Sequence, residues 1–367
     1  MDIPVAVLSR ARRAADAFHA LTGVTVDVAE LLAGRAVLLG LSPQGRISAG
    51  GATRLMRSSD GWCALTLSRQ DDIDAVSALL ESDTVGDDPW QTVQAWAADN
   101  TSADVTARAR LLGLPVATLG ETGAAPPRIN TLGAAAPRGV NELLVADLSS
   151  MWAGPLCGHL LARAGATVIK VETRGRPDGT RAGAPAFFDW MNSGKLSYTV
   201  HFDESSALRR LLEAADVVIE SSRPAALAHR GLSPTDIARR GGSVWVRITG
   251  HGTDGERANW VAFGDDAAVS GGLVGGTPGE PVFCGDAIAD PLTGLHAALE
   301  VAESLRRGGG ELIELSMAAV AATYAADDLT PETQCSAMPA RSKPAAELGA
   351  DNTAVERLLA EKRLASC

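Results

Sequence analysis

The sequence predicts an α/β protein, with a Rossmann-like parallel-sheet lobe and a smaller α+β domain. Three observations carry that expectation. The second half alternates short apolar strands with amphipathic helices, the first half mixes helices with an alternating strand, and a stretch rich in Gly, Pro and Ala separates them. The 367 residues also exceed the roughly 250 to 300 at which a single core stops growing.

In the first 120 residues, "ARRAADAFHALTG" and "DDIDAVSALLE" repeat apolar residues at three and four, as amphipathic helices do. Between them "DGWCALTLS" alternates like a half-buried strand after an Asp60-Gly61 turn. "PWQTVQAWAADN" and "TSADVTARARLLGLP" read as two further helices, the second with Thr101 or Ser102 as N-cap. Residues 1–120 are therefore expected to form the small domain. Residues 121–138, within the stretch "GETGAAPPRINTLGAAAPR", are expected to be a linker, and 139–367 the Rossmann-like lobe.

After the linker, "ELLVADL" is a short apolar run of the kind that a parallel strand buried on both faces needs. "AGPLCGHLLARAG" follows as a helix with Pro155 in its first turn, then "ATVIKVE" as a strand. "SYTVHF", "ESSALRRLLEAA" and "DVVIESS" repeat the rhythm, and "GLSPTDIARRGG" with "VWVRITG" would make a third round. Strands joined through helices require right-handed crossovers, hence a doubly wound parallel sheet.

Composition narrows the functions. With 46% hydrophobic and 21% charged residues the chain is expected to fold, and its net charge of −11 excludes a nucleic-acid surface, which needs clustered Lys and Arg. Five cysteines are scattered without a CxxC pair, so neither a disulfide framework nor a metal site is expected. Met1 to Ala20 lack the apolar run of a signal peptide, and no stretch approaches the roughly 20 apolar residues of a membrane span. A cytoplasmic protein with no membrane partner is expected. A dinucleotide reading of the turn Ser149 to Pro155, with Glu172 as ribose ligand, fails because "SSMWAGPLCGH" is not GxGxxG.

The run "LLVADLSSMWAGPLCGHLLARAGATVIKVE" resembles the opening of the family III CoA-transferases, the superfamily that also holds formyl-CoA transferase, carnitine CoA-transferases and alpha-methylacyl-CoA racemase. "NSGKLSYTVHF", "ADVVIESSRPAALAHRGLS", "VWVRITGHGTDGERANWVAFGDDAAVSGGL", "DAIADPLTGLHAALEVAESLRR" and "GGGELIELSMAAV" follow in the family's order. The tail "KPAAELGADNTAVERLLAE" also resembles the family. The small domain that normally lies between Ala326 and Arg341 is missing there. Its likeness stands at the front, in "GGATRLMRSSDGWCALTLSRQDDIDAVSALLE" and "ARLLGLPVATLGE".

The resemblance implies transfer of coenzyme A between an acyl-CoA and a free carboxylic acid, through an aspartyl mixed anhydride and thioester. It places the nucleophile at Asp290 in Asp290-Pro291-Leu292-Thr293-Gly294. By sequence physics alone the same Asp is an N-cap of the helix "PLTGLHAALEVAESL". Asp286 reads as a turn residue and Cys284 as a small buried hydrophobe.

Gly50 and Gly51 are the counterpart of the family's glycine loop, which covers the intermediates, or else mark a plain turn. For coenzyme A the resemblance points to Trp152, Ala153, Gly154 and Pro155, and to Arg174, Ser221 and Arg223 at strand ends, where a guanidinium fork suits phosphate. It also implies a homodimer. Two other functions stay open: a 2-methylacyl-CoA racemase, for which "AFGDD" lacks the expected His while His251 lies nearby, and a non-catalytic CoA-binding protein.

Overall fold

A computed structural model describes residues 1–82, 86, 88–201, 205–326 and 329–364. Phe202 and Glu204, at the ends of an expected strand and helix, and Cys367 lie outside the described residues. The chain begins with β1 (Asp2–Pro4), α1 (Val5–Thr22), α2 (Val28–Leu39), β2 (Thr53–Arg57) and β3 (Trp62–Thr66). It continues through α3 (Gln70–Asp74), α4 (Val76–Leu80), α5 (Pro89–Asp99), α6 (Ser102–Leu111), β4 (Val116–Thr118) and β5 (Arg128–Thr131). The large lobe follows with β6 (Leu144–Asp147), α7 (Ala153–Arg163), β7 (Thr167–Glu172), α8 (Pro185–Asn192), β8 (Leu196–Thr199), α9 (Ser205–Ala214), β9 (Val217–Glu220), α10 (Pro224–Ala228) and β10 (Val244–Thr249). It ends with α11 (Gly264–Ser270), β11 (Val274–Thr277), β12 (Glu280–Phe283), α12 (Ala289–Arg307), β13 (Glu311–Ser316), α13 (Met317–Ala325), β14 (Glu332–Gln334) and α14 (Asn352–Leu364).

Seven strands form the main sheet in the order β5-β13-β10-β9-β6-β7-β8. All neighbours pair in parallel except β5, which runs antiparallel to β13. The parallel strands thus fan out on both sides of β6, which places a topological switch point between β6 and β9. Strand periodicity divides the side chains between two cores. Val145, Val217, Ile219, Val246 and Ile313 join the cluster under α1, α7 and α12. Leu144, Ala146, Val218 and Trp245 join the cluster under α9 and α14.

Several expectations need correction. The expected linker is not structureless, since Arg128–Thr131 form the antiparallel edge strand β5 with all four residues exposed. An exposed edge strand carries no apolar alternation, so its sequence shows no strand signal. Gly242, Gly308 and Gly310 make room for the rest of the segment: a Cβ on Gly242 would stand 2.5 Å from the Ala136 oxygen. The segment "GLSPTDIARRGG" is not a helix but a chain of turns in which Asp236 accepts from the Ser233 amide at 3.1 Å. A short α10 precedes it instead. The helix expected over "DDIDAVSALLE" is interrupted at Ala75 into α3 and α4.

β3 is buried along its whole length rather than on one face. Cys63 and Leu65 meet Trp90, Val93 and Val105 beneath β2-β3-β4, and on the other face Ala64 meets Val269 of α11. The first forty residues, expected in the small domain, pack elsewhere: Ile3, Val7, Phe18 and Leu32 belong to the cluster that holds α7 and α12. Composition also hid two buried ion pairs. Of the four lysines, Lys170 pairs with Asp178 at 2.6 Å and Lys195 with Asp147 at 2.8 Å, all four groups being buried. Glu172 accepts from Arg181 at 2.7 Å, so it is engaged within the protein.

Candidate active site

α12 begins one residue before Asp290, and its N-cap Ile288 makes no side-chain capping bond. Asp290 is therefore a first-turn residue and not the cap. The turn leading into the helix puts Ala287 at φ 43°, in the left-handed region that costs a non-glycine residue of the order of 1 kcal/mol. Two hydrogen bonds hold it there: the Ala287 amide donates to Asp265 Oδ1 at 2.9 Å, and its oxygen accepts from the Asp290 amide at 2.9 Å.

Asp290 as a residue is half-buried, and its carboxyl sits desolvated in a dense crevice. Backbone amides of Ala153, at the start of α7, and Gly264, at the start of α11, face it and draw its carboxyl down. Neither helix start admits a bulkier arrangement. A Cβ on Gly264 would lie 2.5 Å from Asp290 Oδ2, and one on Gly294 would lie 2.6 Å from the Ala153 oxygen. Those glycines let α7, α11 and α12 converge on one carboxylate.

Asp265 acts on it directly, and Asp286 and Asp266 each interact with Asp265. Burial pushes the Asp290 and Asp265 carboxyls up to about 7, with Arg35 opposing the shift at both; Asp265 raises Asp290, and Asp286 raises Asp265. Burial also raises Asp286, again against the pull of Arg35, whose Nη1 donates to Asp286 Oδ1 at 2.5 Å. Asp266, buried beneath β3, accepts from Thr66 Oγ1 at 2.8 Å and is pushed by burial to about 8.

A carboxyl raised in the folded state keeps its proton between the unfolded and folded values, so its stabilising contribution is lost as pH rises through the folded one. Asp266→Asn should therefore gain stability over the wild type as pH rises from about 4 to 8, by at most about 1.4 kcal/mol per pH unit, and hold a constant margin above that. Denaturant unfolding of both proteins across pH 4 to 9 measures this. A margin independent of pH would contradict the assigned shift.

The glycine loop reaches this crevice. Gly51, at φ 81°, needs its glycine for a turn closed by its amide on the Ser48 oxygen at 2.8 Å. Gly50 faces Arg35: a Cβ there would stand 3.7 Å from Nη2. Ser48 also hydrogen-bonds Asp265. Gly51 thus sits in a turn, as one of the two sequence readings has it.

Trp152, Ala153, Gly154 and Pro155 are buried, and the Trp152 ring lies against the Arg35 guanidinium at 5.5 Å. Gly154 serves the tight turn, because its Cβ would fall 2.2 Å from the Ser149 side chain. Ser221 is exposed and its Oγ accepts from the Ser150 amide at 3.3 Å, joining the ends of β6 and β9. Arg174 and Arg223 are exposed just beyond the ends of β7 and β9, on the same carboxyl edge of the sheet. Cys284 is buried and burial raises its thiol. His251 is buried at 5.4 Å from the Trp260 ring, and burial with Arg110 and Arg257 lowers it to about 3.

Sequence reasoning missed Arg35 and Ser48; it read Asp286 as a turn residue and held it and Asp265 only as substitutes for Asp290 as nucleophile. The spacing of Asp286 and Asp290 was visible. The pairing of Arg35 with a residue 251 positions away was not.

The sequence profile of CoA-transferase family III matches residues 140–356, more than half of the chain. The chain belongs to CoA-transferase family III. It is 30% identical over 199 residues to a succinyl-CoA–D-citramalate CoA-transferase of Chloroflexus aurantiacus, covering 49% of this chain and 50% of that protein. It is 32% identical over 204 residues to a succinate–glutarate CoA-transferase of Agrobacterium fabrum, covering 48% and 50%. A solved structure of a CaiB/BaiF family protein from Brucella suis superposes at a TM-score of 0.46 with 30% identity, covering 52% of this chain and 55% of that one. This family III chain spans about half the length of the curated relatives it matches. Among its described residues no helix is long and apolar enough to cross a membrane, and no three His, Cys, Asp or Glu side chains are grouped to hold a metal ion.

Proposed function

We propose that this protein transfers coenzyme A between an acyl-CoA and a free carboxylic acid, with Asp290 as the covalent carrier. The observation that carries the proposal is a half-buried aspartate whose desolvated carboxyl is faced by the amides of two helix starts. Asp290 attacks the thioester carbonyl, the C–S bond breaks, and CoA leaves as thiolate with a mixed anhydride formed. The thiolate then attacks the aspartyl carbonyl, releasing the first acid as carboxylate and leaving an aspartyl-CoA thioester. The acceptor carboxylate reverses both steps. Amides already aimed at Asp290 are suited to the oxyanions of these additions. With Asp290 raised to about 7, its ionised fraction and hence the first step grow as pH rises through 7.

In this proposal the β6–α7 turn, Arg174, Ser221 and Arg223 receive the CoA portion, and Gly50 and Gly51 cover the intermediates. The sheet β2-β3-β4 takes the place of the family's small domain. Incubation with an acyl-CoA should leave a hydroxylamine-sensitive adduct on the peptide containing Asp290, and a panel of acyl-CoAs and free acids should show CoA exchange by mass spectrometry. Binding without exchange would favour the non-catalytic alternative. The racemase alternative requires a second base, and His251 is engaged with Ser270 and Trp260. The protein is further proposed to be a homodimer in a cytoplasmic compartment; a monomer mass by light scattering at micromolar concentration, with exchange intact, would exclude the dimer.

A further inference from the structure

α2 carries Arg35 into the Asp290 crevice from a part of the chain that lies outside the family match. Its guanidinium lies over the rings of Trp152 and Phe187, at 5.5 and 5.4 Å, which sets the plane of the fork. Nη1 is committed to Asp286. Nε and Nη2 make no hydrogen bond with the described residues, the side chain keeps 23% exposure, and Nη2 faces Gly50. A structural arginine facing a buried carboxylate would normally use both arms of its fork. This one holds part of its donor set toward the crevice.

The charge balance gives those donors a use. Arg35 acts on Asp265, Asp286 and Asp290; the chain's amino terminus acts on Asp286, Ser48 and the Ala287 amide on Asp265, and the Ala153 and Gly264 amides on Asp290. While Asp290 is ionised, Arg35 answers its charge. Once Asp290 is a neutral thioester, that attraction is released, and an incoming carboxylate would otherwise meet the two remaining acids. We propose that Arg35 binds the carboxylate of the acceptor acid, and does so after Asp290 has been neutralised by CoA. This inference rests on the function proposed above. The bound carboxylate oxygen attacks the aspartyl carbonyl, the C–S bond breaks with its electron pair leaving on the CoA thiolate, and Arg35 holds the other carboxylate oxygen of the resulting anhydride.

Asp290→Asn imitates the neutral state without chemistry, so binding can be read apart from turnover. Isothermal titration with succinate should show tighter binding to Asp290→Asn than to the wild type. Adding Arg35→Lys, which keeps the charge for Asp286 but not the fork, should weaken it at least about tenfold, the loss expected for a charge-assisted hydrogen bond. Should that double variant fail to fold, Asp290→Asn combined with Arg35→Gln and Asp286→Asn removes the ion pair as a unit, and the same loss is expected. Equal succinate affinity with and without Arg35, or no binding to either protein, overturns the assignment. Failure of the transferase reading would appear separately, as a wild type that forms no adduct and exchanges no CoA.

Discussion

Asp290→Asn is expected to lower CoA exchange by roughly 10⁴-fold or more, since an amide cannot form the anhydride and loss of a covalent nucleophile costs on that order. The fold should survive. Asn Oδ1 can still face the Ala153 and Gly264 amides, and no helix cap is lost because Asp290 does not cap α12. Burial raises the carboxyl to about 7, so above that pH the wild type holds a poorly solvated charge that the amide lacks. At pH 8 the variant should be at least as stable as the wild type. Exchange assays paired with thermal unfolding separate the two effects. Wild-type exchange in a folded Asn variant would move the nucleophile to Asp265 or Asp286.

Removing residues 1–40 is expected to abolish cooperative folding, although the sequence places them in a separable small domain. β1 pairs with β14, and Ile3, Val7, Phe18 and Leu32 are fully buried in the core that contains α7 and α12. Burial of four such side chains contributes about 6 to 12 kcal/mol, comparable to the net stability of a whole domain. The truncation also removes Arg35, leaving Asp286 buried without its partner, a defect that costs several kcal/mol more, roughly 3 to 5. Circular dichroism on heating should show no sharp transition in the truncated protein. A cooperative transition near that of the full chain would show that α1 and α2 are dispensable.

The sequence by itself determined what depends on local pattern. Apolar runs at β6, β7, β9 and β10 announced strands buried on both faces, and helical spacing announced α1, α5, α6 and α7. The block containing Asp290 was legible because its motif is contiguous. Where tertiary surroundings outweigh local pattern, the reading failed. β5 is an edge strand whose pairing comes from β13 alone, and α1 looks like any amphipathic helix until the face that it covers is known.

The tertiary structure decided the electrostatics of the site. Asp265, Asp286 and Asp290 are ordinary acids in sequence; their raised carboxyls come from burial in the fold, to which Asp286 adds at Asp265 and Asp265 adds at Asp290. The convergence of α7, α11 and α12 depends on Gly264 and Gly294 meeting particular backbone atoms, and the countercharge arrives from α2, 251 residues before its partner. Hydrophobic periodicity specifies which face of an element is covered but not which element covers it. Charges brought together by that covering are therefore invisible until the chain is folded.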